Sequence, residues 1–300
     1  MESPVRLTLS AGLASVLVAA FLVAIKLWAL GQTGALSIAA SLADSAMDLM
    51  VSLVAMAALI YAAKPADEDH AFGHTSAEDL ASLGQALFIL LSAAVIAAAA
   101  VRRLWFSVDG GGAQGAHGPI QAEGAGMAAM VLSILVTLAL VLWQGRVARL
   151  TGSRIVAADR LHYLGDLLPN IGAIASLWAS SRFGLITVDA VVALGTAAVL
   201  GLGALRVGKG AWDALMDRRA SPEVIEKIES VARTWPGVRG FHDLKTRTAG
   251  SRIFVNLHIE LDGDQSLRQA HDIGAGLRRA IIAACPGVDV IIHKDVAGET

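Results

Sequence analysis

The chain has a single cysteine, Cys285, in 300 residues. A disulfide framework and a thiolate metal centre each need several sulfurs, so both are excluded. Charge is scarce too: 17% of residues are Asp, Glu, Lys or Arg, against about 25% in soluble domains. The formal net charge is -2 and no Lys/Arg-rich run occurs, so the electrostatic footprint of a nucleic-acid binder is missing.

Apolar residues fill the space that charge leaves. They make up 55% of the chain, and the mean hydropathy is +0.60, which places the chain in the bilayer. A spanning helix takes about 20 largely apolar residues. Six segments qualify: 8–31, 36–63, 78–101, 124–145, 155–180 and 183–207. The first is read as a spanning helix rather than a signal peptide. Met1–Arg6 is only weakly basic, and the apolar run exceeds an h-region of about 7–15 residues.

Loop chemistry separates the segments: Lys64-Pro65-Ala66-Asp67, then Arg102-Arg103 before Asp109-Gly110-Gly111-Gly112, then Gln144-Gly145-Arg146, and a short turn at Ser181–Gly184. Arg146, Arg149 and Arg154 lie between segments four and five, and Arg206, Lys209, Arg218 and Arg219 follow segment six. The positive-inside bias puts these stretches and both termini in the cytoplasm. Arg102 and Arg103 sit at a helix end, where long side chains snorkel.

Beyond about residue 212 the pattern changes. Val224, Ile225, Ile228, Val231 and Ala232 recur at helical spacing. Ile253, Val255, Leu257, Ile259 and Leu261 then alternate with Phe254, Asn256, His258 and Glu260, as in a half-buried strand. A second helix over Ser266–Ala284 and a strand over Val288–His293 complete a helix–strand–strand–helix–strand order. The expected architecture is a six-helix α-helical membrane bundle over residues 1–211. A small α+β cytoplasmic domain with helices on one sheet face follows over 212–300.

Three constellations carry metal-type chemistry. Asp44 and Asp48 lie four apart inside the second apolar segment, and His162 and Asp166 lie four apart inside the fifth, so each pair shares a helix face. An aspartate at the centre of a spanning helix costs roughly 2.5–3.5 kcal/mol, and three cost on the order of 8–10 kcal/mol unless compensated. A divalent cation compensates them, since three carboxylates and an imidazole make a four-coordinate N/O site of the kind Zn2+ accepts. A second cluster, Asp67, His70 and His74, follows segment two, and Gly73 allows the tight turn it needs. The third set is His242, His258, His271, His293 and Asp295. His258 is on the strand face opposite the apolar row, and His293 and Asp295, two apart, share a face of the last strand.

Other features read as incidental. Lys26 snorkels or pairs across the bundle, Gly110–Gly112 is a flexible loop, Cys285 is a small packed residue, and His117 is an isolated loop histidine.

The helix-two motif Ser41-x-x-Asp44-Ser45-x-x-Asp48 and the loop from Pro65-Ala66-Asp67 to His70-Ala71-Phe72-Gly73-His74 form a recognisable series. It continues with His162-Tyr163-x-x-Asp166, Trp235-Pro236-Gly237-Val238, His242-Asp243-Leu244, Gln269-Ala270-His271 and Val290-Ile291-Ile292-His293-Lys294-Asp295. In this order they resemble the cation diffusion facilitator family, especially its bacterial zinc/cadmium/iron-type members. The resemblance spans nearly the whole chain and implies a homodimeric, multi-pass exporter of the bacterial inner membrane, without enzymatic activity. It implies Zn2+ as cargo and as regulatory ion, and protons as counter-ion. Cd2+, Fe2+, Co2+ and Mn2+ are alternative cargoes, and a metal-gated channel or sensor is the rival class.

The resemblance implies a transport site of Asp44, Asp48, His162 and Asp166 and a loop site of Asp67, His70 and His74. It also implies a dimer-interface site drawn from His242, His258, His271, His293 and Asp295, in a domain similar to a metallochaperone. There is one departure. Relatives carry a lysine just after the loop histidine, paired across the dimer with an acidic residue matching Asp217; here Thr75-Ser76 follows His74.

Overall fold

The computed structural model describes residues 4–33, 36–108, 124–183 and 188–299. Asp109–Gly112, His117 and Gly184 lie outside the described residues. The chain divides into two compact units between Ala211 and Trp212.

Among the described residues the first unit is wholly helical: α1 Pro4–Thr33, α2 Leu36–Ala62, α3 Ser76–Val108, α4 Gly124–Thr151, α5 Arg154–Phe183 and α6 Val188–Leu215. Among the described residues, five of these helices are long and apolar enough to cross a membrane. The first half of α5 carries Asp159, Arg160, His162 and Asp166, which give it a polar stripe.

Side chains that point outward are apolar along the bundle, as a lipid solvent requires; Leu17, Val54, Leu87, Leu142 and Leu202 are all exposed. Small residues let the backbones approach. A Cβ on Gly12 of α1 would meet Leu59 Cδ1 of α2 at 2.8 Å, and one on Gly203 of α6 would meet Leu161 of α5 at 2.8 Å. α1 packs along α2 and α4, and α5 packs on α4 and α3. The polar stripe of α5 is thereby turned toward α1, α2 and α4.

The second unit contains α7 Pro222–Thr234, β1 Gly240–Ala249, β2 Arg252–Leu261, α8 Leu267–Ala284 and β3 Val288–Val296. The sheet order is β1-β2-β3, with β1 antiparallel and β3 parallel to β2. Val255, Leu257, Ile259 and Leu261 of β2 form the core with Ile228 and Ala232 of α7 and Leu277 and Ile281 of α8. Cys285 is buried in the same core as a free thiol. A capping box at Ser266 and Gln269 starts α8. Phe254, on the opposite face of β2, is also buried, because the Arg247 guanidinium lies 4.3 Å over its ring.

Candidate metal centres

Where α2 meets α5, ligand atoms of Asp48, His162 and Asp166 all lie within 4.8 Å of one another. His162 Nε2 is 3.3 Å from Asp48 Oδ1 and makes no aligned hydrogen bond. The two side chains are 11% and 13% exposed, so an ion between them would be nearly dehydrated. An imidazole nitrogen facing carboxylate oxygens at this spacing is a donor set for a cation. Asp44 lies one turn before Asp48 on α2, is more exposed, and is not one of the three clustered ligands. Its charge still acts on Asp166 and on Lys26.

Lys26 of α1 is the basic group set beside these carboxylates. Its Nζ donates to Ser45 Oγ at 2.6 Å and to the Ser41 carbonyl at 3.1 Å, and Asp48, Asp44 and Asp166 are the charges it senses. Arg160, by contrast, turns to α4 and donates to the Val141 carbonyl at 3.2 Å. The lysine pairs across the bundle, and it does so beside the ligand cluster, which spacing along the sequence does not show.

The loop after α2 forms a second cluster of Asp67, His70 and His74. Asp67 Oδ1 accepts the His70 backbone N–H at 2.8 Å, and Gly73 turns the chain in the left-handed region at φ 82°. His74 is buried under Tyr61, with ring centroids 4.7 Å apart. Its Nδ1 donates to the Pro65 carbonyl at 3.2 Å, and its Nε2 lies 3.2 Å from Asp67 Oδ2. A carbonyl that fixes the tautomer in this way is the usual outer-shell support of a ligating histidine. The backbone hydrogen bond from His70 holds the Asp67 carboxyl below its usual pKa, with the His74 and His70 charges adding to it.

In the second unit, strand register builds the third cluster. His242 pairs with His258 across β1–β2, and His258 with His293 across β2–β3. Three imidazoles therefore stand in a row, with ring centroids 5.1 and 4.6 Å apart. Asp295, two residues beyond His293 on the same face, reaches all three: 3.3 Å to His242, 2.9 Å to His258 and 3.2 Å to His293. Ligand atoms of His242, His258 and Asp295 cluster as a candidate ion site, and His242 Nε2 is buried without a hydrogen-bond partner. Partial burial pushes Asp295 up. The hydrogen bond from His258 and the charges of His293, His258 and His242 outweigh it, and the carboxyl sits below its usual pKa. His271, exposed on α8, is not among the clustered ligands. Asp217 sits 3.3 Å from Arg247, so within this unit an arginine answers the acidic residue.

A helical membrane bundle followed in sequence by a small α+β domain, with imidazole–carboxylate clusters in each, is the build of a cation-translocating membrane protein. The chain belongs to the cation efflux family. Residues 12–216 match its transmembrane domain and residues 220–296 its cytoplasmic domain. It is 40% identical to the cation-efflux pump FieF of Cronobacter sakazakii over 290 residues, covering 97% of this chain and 93% of the relative. FieF of Klebsiella pneumoniae is 39% identical over the same span and coverage. The metal-bound C-terminal domain of the CzcD transporter from Thermotoga maritima is 26% identical, covering 26% of this chain and 92% of that chain, at a TM-score of 0.25.

Proposed function

We propose that this chain exports a divalent metal ion, Zn2+ foremost, from the cytoplasm in exchange for protons, working as a homodimer in the bacterial inner membrane with both termini cytoplasmic. The observation that carries the reading is the convergence of Asp48, His162 and Asp166 from two helices of an apolar bundle. Family membership supplies efflux of a cation; the nitrogen–oxygen donor set favours zinc-like ions over the all-oxygen partners of Mg2+ or Ca2+. Asp44 is the fourth ligand, brought in by a small rotation of the α2 turn that separates it from Asp48.

Ligands must shed protons to take a metal ion. An arriving Zn2+ therefore displaces protons from His162 and the carboxylates, and departure on the far side lets them reprotonate. Rocking of the bundle between two openings exposes the same ligands to each side in turn. In the empty state Lys26 supplies positive charge near the carboxylates, so the site is never a bare cluster of anions.

In the cytoplasmic domain, residues 212–300, His242, His258, His293 and Asp295 would hold a regulatory Zn2+ whose chemistry is charge neutralisation of the shared carboxylate. Asp67, His70 and His74 would hold another in the loop. His271 and His293 face solvent, where a second copy of the chain can complete a ligand set.

Proteoliposomes loaded with a pH-sensitive dye test the reading. Zinc added to wild-type vesicles drives proton movement, and Asp48→Ala or His162→Ala abolishes it while the dimer remains intact. Full flux in either variant refutes the transport site. Repeating the assay with Cd2+, Fe2+, Co2+ and Mn2+ ranks the cargoes.

A further inference from the structure

One turn along α5 from His162, Asp159 is buried to 4% exposure, and Gln144 of α4 beside it to 0%. Asp159 Oδ2 accepts the Ser15 hydroxyl at 2.6 Å and the Gln144 Nε2–H at 2.7 Å. Ser15 Oγ is 3.2 Å from Ser52 Oγ, and Ser52 Oγ is 2.8 Å from the Tyr163 hydroxyl, which donates to the Ser15 carbonyl at 3.3 Å. The network thus ties α1, α2, α4 and α5 together. Two atoms in it are left over. Asp159 Oδ1 and Gln144 Oε1 are both buried acceptors without a donor.

The titratable groups that act on Asp159 are His162 and Tyr163 of its own helix and Asp48 of α2. From α1 and α4 it meets a hydroxyl and an amide. Among the described residues it forms no ion pair with Lys or Arg. An unpaired carboxylate in a bilayer-embedded core is one of the most expensive groups a protein can bury. A proton removes both anomalies at once. It neutralises the carboxyl, and it turns Oδ1 from an orphaned acceptor into a donor, in a network whose other orphaned acceptor is Gln144 Oε1.

We propose that Asp159 holds a proton in this conformation and is a proton-carrying site of the exchange, separate from the metal ligands. The inference rests on the metal–proton exchange reading above and adds a carrier to it. When α1 or α4 moves away from α5, Asp159 loses the donors on Oδ2 and meets water. The carboxylic acid then ionises and passes its proton to that water. Closure after exposure to the opposite side requires it to take a proton back before it is buried again. Burial of the neutral acid and burial of the bundle interface are therefore one event, which makes proton carriage obligatory rather than incidental.

The test uses full-length protein in proteoliposomes and the variant Asp159→Asn. An amide reproduces the acid's one donor and its acceptor toward Ser15 and Gln144, but it cannot give up a proton. The expected result is a folded dimer that retains zinc affinity and zinc-for-zinc exchange. Its proton-to-zinc ratio falls by about one, since a carboxyl group carries a single proton. In infrared spectra the variant also loses a carboxylic-acid carbonyl band that wild type shows at neutral pH.

An unchanged proton-to-zinc ratio together with an unchanged band overturns the proposal. If wild type itself shows no zinc-driven proton movement, the exchange reading fails, and the infrared band alone then decides whether Asp159 is protonated. Should the asparagine variant fail to fold, Asp159→Glu keeps the acid. A shift of the band in that variant supports the proposal, and a band that stays in place overturns it.

Discussion

Asp48→Asn keeps the shape of the side chain and removes its charge. In the structure Asp48 is 13% exposed and its Oδ1 lies 3.3 Å from His162 Nε2, so the substitution breaks a nearly buried charge set rather than a surface pair. Losing one partner of such a set costs about 3–5 kcal/mol, which at about 1.4 kcal/mol per decade corresponds to roughly two to three and a half orders of magnitude in Kd. Two other candidate clusters would take up zinc in parallel, so the measurement belongs in a His74→Ala, His258→Ala background. Isothermal titration of the detergent-solubilised protein then reports one class of site. A loss of a hundredfold or more is expected. A change of less than about threefold, within the usual context dependence of such energies, would refute the reasoning, because no nearly dehydrated ligand can be so dispensable.

Four further outcomes follow from the geometry. Lys26→Gln removes the positive charge that competes for the same carboxylates, so zinc affinity at the α2–α5 site rises in the same titration. Gly73→Ala places a side chain at φ 82°, which costs roughly 1–2 kcal/mol, and zinc affinity of the loop cluster falls accordingly. Ile281→Ala, at a position with 0% exposure in the second core, lowers the unfolding free energy of that unit by about 2–5 kcal/mol in urea titration. Asp295 is depressed in the folded state. Its contribution is present above the ordinary carboxylate pKa of about 3.9 and is lost as pH falls through the lowered folded value. Acid melts of metal-free protein show Asp295→Asn flattening that part of the profile.

Much of the fold was legible because two periodicities dominate it. The alternation from Ile253 to Leu261 is the inner face of β2, and the helical spacing from Val224 to Ala232 is the inner face of α7. Hydropathy windows, however, measure bilayer thickness rather than helix length. α3 continues past Arg103 to Val108 and α4 past Gly145 to Thr151, because charged residues at a membrane face continue a helix without difficulty. Phe254 alternates onto the outward face of β2, yet it is buried by an arginine ring-stack, a contact set by cross-strand register.

The candidate sites divide along the same line. Spacings of four on a helix and two on a strand point to candidate ligands that share an element, such as His162 with Asp166 and His293 with Asp295. What brings His242, His258 and His293 into one row is the pairing of three strands, and no local spacing encodes it. Lys26, Ser15, Ser52 and Gln144 are distant in sequence from the groups they meet. Asp159 had one visible signal, its position three residues before His162 on the same helical face, and only the packing of α1 and α4 shows what it faces. Asp44 illustrates the reverse: its spacing from Asp48 is right, yet its carboxylate is not clustered with the other three ligands.

X-ray absorption of zinc bound to the His74→Ala, His258→Ala protein addresses the proposed intramembrane ligand set without relying on transport. A single imidazole and carboxylate oxygens at about 2.0–2.2 Å, with the zinc lost on Asp166→Ala, is the predicted result. Two or more imidazoles around the ion, or zinc retained after Asp166 is removed, would contradict a site built from Asp48, His162 and Asp166.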